Sequence, residues 1–185
     1  MLRLRGAPSM KCSTRGEWES AQRNRGWYRV APVKTLARSS DKADILRRLQ
    51  NLRFDSPRRW GRMTAHQTVC HLADANRVAL GQMSVSLYTP WWSRTLVKWV
   101  ALRVPLPWPS GIPTRPELDQ VRGAGTKPAE FAGDVAELVA LVERMTEPGA
   151  VVEGRAHSFF GRLSRAEWLR WGYLHMDHHL RQFGV

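Results

Sequence analysis

Residues 164–185 read SRAEWLRWGYLHMDHHLRQFGV, and the reading of this stretch decides the fold. Ser164 and Glu167 stand three apart, the spacing of a capping box, in which the cap hydroxyl and the third side chain each accept the other's backbone N–H. A helix starts here. At about 3.6 residues per turn, positions three and four apart share a face. Trp168, Gly172, His175, His179 and Gln182 fall on one such face, which points inward rather than to solvent; Trp171 lies on the same helix. His175 and His179 lie one turn apart, close enough for two imidazoles to hold one ion. Buried polar groups without partners are costly. A divalent metal that favours imidazole, with Zn, Ni or Fe ahead of Cu, satisfies both rings. Hydrogen-bonded core or surface histidines are the competing reading.

The same capping signature recurs at Thr64 and Gln67 and opens a helix running to about Gln82. Here His71 shares a face with Gln67, Thr68, Asp74, Ala75 and Val78, a small, partly polar surface suited to a cavity wall. That makes His71 the candidate third ligand. His66, five residues earlier, points about 140° away from it. Cys70 sits about 100° from His71, cannot easily face the same ion, and reads as a small buried residue. Asp74, one turn after His71, is the candidate catalytic base or a carboxylate supporting the ligands; a capping or solvent-facing carboxylate is the alternative. His178 reads as a surface residue rather than a group supporting the ligands, and Asp177 as solvated, while Gln182 is placed to orient His179 or a substrate, with packing near the chain end the alternative.

Two further helices complete the pattern. One starts near Ser40 or Asp41, either of which can cap it, and carries Ile45, Leu46, Leu49 and Leu52 as an apolar stripe before the turn Asp55-Ser56-Pro57. The other takes Pro128 in its first turn, buries Phe131, Val135, Leu138 and Val142, and stops at Pro148-Gly149. Between the second and third long helices lies Leu87–Lys127. It holds a short helix from Trp91 to Leu102, then a proline-rich, extended and ordered run containing Trp108, Ile112 and Leu118. No segment reads as a strand. The fold class is all-α: a four-helix bundle with a long Pro/Trp-rich crossover between helices 2 and 3.

The 185 residues suit one domain, 33–185, behind a basic, disordered N-terminal extension, 1–32. The formal charge of +13 is unevenly spread: residues 1–62 hold 16 Lys/Arg against 5 Asp/Glu, and the rest 13 against 11. A near-neutral helical part without a binding motif argues against a nucleic-acid partner, leaving the basic third as a solvated leader. Its Arg-rich, acid-poor composition is also that of an organelle transit peptide. No run reaches the roughly 18 apolar residues of a membrane span, and no apolar signal core stands near the start, so the expected compartment is the cytoplasm. Two cysteines, Cys12 and Cys70, give no disulfide framework.

The segment Trp60-Gly61-Arg62-Met63-Thr64-Ala65-His66-Gln67, with Cys70-His71-Leu72-Ala73-Asp74, resembles the second-helix signature of the DinB-like superfamily. The ending His175-Met176-Asp177-His178-His179-Leu180-Arg181-Gln182 resembles its closing motif. The phrases Pro105-Leu106-Pro107-Trp108-Pro109 and Gly111-Ile112-Pro113-Thr114 are similar to a branch of small members without an assigned function. The resemblance covers about Val33 to Val185. It implies a four-helix bundle with one long crossover and a three-histidine metal site mapping onto His71, His175 and His179; the choice of His71 over His66 leans on it.

Some relatives are similar to transferases and isomerases that use low-molecular-weight thiols. A three-histidine ion lowers the pKa of bound water towards about 7 or binds a thiol as thiolate. The expected function is therefore a metal-dependent hydrolase or thiol transferase acting on a small molecule. A non-catalytic metal- or small-ligand-binding protein is the alternative. Trp91, Trp92, Arg94, Lys98 and Trp108 are candidates for a lid over the pocket, with ordinary packing the stronger reading, and such Trp clusters also suit a homodimer contact.

Overall fold

Both capping boxes form. In the computed structural model, which describes residues 33–104 and 106–185, Gln67 N donates to Thr64 Oγ1 and Glu167 N to Ser164 Oγ, each at 3.2 Å. The reciprocal bonds close at 2.9 and 2.8 Å. The expected extension 1–32, with Cys12, and Pro105 lie outside the described residues.

The chain is mostly helical. Helix α1 spans Ser39–Gln50, α2 Ala65–Ala79, α3 Leu96–Arg103, α4 Phe131–Thr146 and α5 Arg165–Gln182. Helix α2 packs along α4 and against α5, while α1 and α3 also lie on α5. The interior is built from Ile45 and Leu49 of α1, Val69 and Leu72 of α2, Leu138, Val142 and Met145 of α4, and Trp168, Leu169 and Met176 of α5, all buried. Apolar area removed from water is the main term holding these helices together. Along α2 only Gln67 and Arg77 escape full burial, so this helix has almost no solvent face. On α5, Gly172 leaves room for a neighbour: a Cβ there would meet Leu36 Cδ1 at 2.9 Å.

Several boundaries differ from the sequence expectation, each for a local reason. Neither Ser40 nor Asp41 caps α1. The helix begins one residue earlier, after Arg38, and Asp41 instead reaches back to accept from Thr35 N at 3.0 Å. Helix α2 ends at Ala79, because Gly81 adopts φ +81° and turns the chain away. Pro128 lies before α4 rather than in its first turn. The Glu130 carboxylate accepts from Ala132 N and Gly133 N, at 2.9 and 2.6 Å, and this sets the start at Phe131.

The expected short helix at Trp91–Leu102 is divided at Thr95 into a 3-10 turn, Trp91–Arg94, and α3. Trp108 and Leu118 pack on the core as expected, but Ile112 is exposed. Two very short strands, β1 Ala156–His157 and β2 Gly161–Arg162, pair antiparallel where none was expected. Two residues per strand are too few to leave a periodic signal. Among the described residues, no helix is long and apolar enough to cross a membrane.

Candidate metal centre

One turn of α5 and the middle of α2 bring three imidazoles together. The ligand nitrogens of His71, His175 and His179 all lie within 4.8 Å of one another. Ring centroids are 4.8–5.0 Å apart and the planes steeply inclined. The α5 spacing does for His175 and His179 what the sequence requires. His71 is buried; His175 and His179 are half-buried as whole residues, yet their imidazoles are packed deeply enough for burial to dominate their titration.

The outer contacts decide which nitrogen each ring turns inward. His71 Nδ1 lies 2.9 Å from the Leu118 carbonyl oxygen, which can only accept, so the ring is protonated there and presents an Nε2 lone pair. Gln182 does the same for His179. Its Nε2 donates to the Trp60 carbonyl at 2.7 Å, leaving Oε1 to accept from His179 Nδ1 at 3.0 Å. Gly61 makes this possible, since at φ +78° a Cβ would lie 2.6 Å from the Gln182 amide nitrogen. His175 Nε2 lies 3.2 Å from His71 Nε2, and its ring stacks on Trp171 at 4.6 Å.

Burial pulls the His71 pKa below its usual value against the contrary effect of the Leu118 carbonyl. Burial first, then the neighbouring imidazoles, pulls His175 and His179 well below theirs. The rings are therefore neutral and metal-competent at pH 7. Two zinc-bound nitrogens in tetrahedral geometry stand ~3.3 Å apart, and the 3.2 Å separation matches this. The donor set fits one divalent ion. Among the described residues, no other histidine, cysteine or carboxylate joins this group.

Asp74 is fully buried, with four donors on its carboxylate. Arg77 Nη1 and Thr126 Oγ1 reach Oδ1 at 2.6 and 2.7 Å, and Gln120 Nε2 and Thr126 N reach Oδ2, each at 2.8 Å. A solvent-facing Asp74 is thereby excluded. The carboxylate ties the crossover to α2 near Leu118, the residue that holds His71.

His178 is not on the surface: it is buried beside Trp60 and Trp108, at ring distances of 6.0 and 6.4 Å. Asp177 is not free in solvent either, but pairs with Arg48 at 2.7 Å and Arg181 at 2.9 Å. Of the five candidate lid residues, only Trp108 comes beside the histidines, 6.4 Å from His175. Lys98 pairs with Glu167 at 2.9 Å, and Trp92 packs on Phe159. A cleft of about 770 Å³ between the 3-10 turn and the hairpin is lined by Trp91, Arg94, Phe160 and Arg162 and by none of the three histidines. Leu118 was not legible as a site residue, because a main-chain carbonyl leaves no mark in the residue type.

A sequence profile described as the DinB superfamily matches residues 41–183. The chain belongs to the DinB superfamily. Searches of curated proteins and of solved structures returned no match. The DinB assignment covers the two helices that carry the three histidines and the whole crossover between α2 and α4.

Proposed function

We propose that this DinB-superfamily chain is a metal-dependent enzyme, a hydrolase or low-molecular-weight-thiol transferase acting on a small molecule. His71, His175 and His179 hold one divalent ion, with Zn, Ni or Fe the suitable metals. A single observation carries the reading: three imidazole nitrogens converge, and no fourth protein ligand closes the group among the described residues. When bound, such an ion supplies a Lewis acid that activates a water or thiol.

The chain's own residues then do the rest. Leu118 and Gln182 hold the lone pairs of His71 and His179 inward. Trp171 and Trp108 flank His175 and limit water on that side. Asp74, which the sequence suggests as a base, has both oxygens engaged and acts on this reading by positioning the crossover behind His71. The four long helices are arranged as a four-helix bundle, with Leu87–Lys127 crossing between the second and third. The exposed face of α3, Leu96, Trp99 and Val100, is the proposed homodimer contact.

Elemental analysis of the purified chain and of His175→Ala tests the site. His175→Ala should hold one equivalent of metal less than the parent; equal content in both overturns the reading. Added small thiols should then perturb the spectrum of the cobalt-loaded chain. A cobalt spectrum that no thiol, azide or cyanide alters would favour the non-catalytic binding protein.

A further inference from the structure

On α2, His66 and Cys70 stand four residues apart, and so one turn apart on one face. This repeats the spacing of His175 and His179 on α5. The face is turned away from the three histidines, towards the start of α4, where Asp134 enters. His66 Nε2 lies 2.6 Å and Cys70 Sγ 3.7 Å from the same oxygen, Asp134 Oδ2. The three ligand atoms fall within 4.8 Å of one another. His66 and Cys70 are buried, and Asp134 stays partly open to solvent. Phe131 and Phe54 close two sides of the His66 ring, at 5.3 and 5.8 Å.

We infer that His66, Cys70 and Asp134 form a second divalent-metal site, selective for zinc and separate from the three-histidine centre. The donor set is the reason for zinc: one thiolate, one imidazole and one carboxylate make a borderline-soft site. In a tetrahedral zinc site a sulfur and an oxygen ligand stand ~3.5 Å apart, near the 3.7 Å found, while the His66–Asp134 contact must open from 2.6 Å to admit the ion. On binding, Cys70 loses its Sγ proton to solvent and becomes the ligand. A thiolate and a carboxylate together cancel the charge of a divalent ion. That neutrality lowers the cost of seating it between two packed helices. That same neutrality leaves this ion a weaker Lewis acid than one held by three neutral imidazoles, so its role is to clamp the start of α4 to α2.

The experiment uses the full chain carrying Cys12→Ser, which leaves Cys70 as its one thiol. Loaded with cobalt, it should show near-ultraviolet thiolate-to-cobalt absorption that survives His175→Ala and disappears on adding Cys70→Ser. After equilibration with zinc and desalting, two ions per chain are expected, and one in the His175→Ala form. Because Cys70→Ser can unsettle the core, alkylation of the unmutated Cys70 gives the same answer. Zinc should slow labelling of the His175→Ala form at least about tenfold, as occupancy dictates, and a chelator should restore it. No charge-transfer band, with one ion per chain that His175→Ala removes, would overturn this site and leave the three-histidine reading standing. One ion that persists in His175→Ala and gives the band would do the reverse.

Discussion

The side-chain oxygen of Gln182 accepts from His179 Nδ1 at 3.0 Å, and this contact fixes which nitrogen of the ring faces His71 and His175. Gln182 is itself held by the Trp60 carbonyl, so its amide has one orientation that satisfies both ends.

Gln182→Leu keeps the bulk and removes both bonds. Its metal affinity should fall about 10- to 100-fold, the usual cost of losing a group that orients a histidine ligand. Competition with a chelator of known strength measures this. Gln182→Glu retains an acceptor for His179 and should lose much less. Equal affinity in the Leu variant and the parent would show that the ring needs no such support.

Asp74→Asn separates positioning from proton transfer. Four hydrogen bonds converge on that carboxylate, and replacing it with an amide unsettles contacts worth about 1.5–3 kcal/mol each where charge is involved. As a positioning residue, Asp74 should show a lower melting temperature and weaker metal binding together. Loss of turnover with metal affinity and melting temperature intact would mark it as the base.

The closing helix was legible because its signals are local. Ser164 with Glu167 and His175 with His179 each need only one or two turns of chain to do their work. Choosing between His66 and His71 is harder, because helical spacing separates them only if the helix has one inward face. Helix α2 is buried nearly all round, so both histidines point into protein, one to α4 and one to α5. His66 and Cys70 carry the same four-residue spacing as the pair on α5, the sequence mark of the proposed second site. His178 is covered by Trp60 and Trp108, which come from loops and leave no period on α5.

Acid should destabilise the metal-free chain. Burial lowers the pKa of His71, His175, His178 and His179, and takes His157 to about 3. Below the usual value of 6.5 the unfolded chain therefore binds protons that the folded chain refuses. Stability is fully present above pH 6.5 and declines as pH falls, by ~1.4 kcal/mol per pH unit for each ring kept neutral. Urea titrations in chelator at pH 7.5 and pH 5 should show a clear drop in midpoint. A flat profile would mean that these rings protonate within the fold.

Trp99→Glu tests the proposed dimer face. Trp99 is 59% exposed, beside Leu96 at 68%, so a carboxylate costs the isolated chain little. Sedimentation should show the parent as a dimer and the variant as a monomer with unchanged helicity. A monomeric parent would remove the proposal.

The carbonyl that steadies His71 belongs to Leu118, on a stretch fastened to α2 chiefly by side chains rather than by helix packing. On the proposed metal reading, ion uptake and the docking of 116–127 on α2 are therefore two views of one equilibrium. On that reading, whatever tightens the stretch tightens the proposed ion by the same factor, and the ion in turn shields the stretch from proteases. A ligand leaning on the crossover, without touching the ion, would set how firmly the ion is kept.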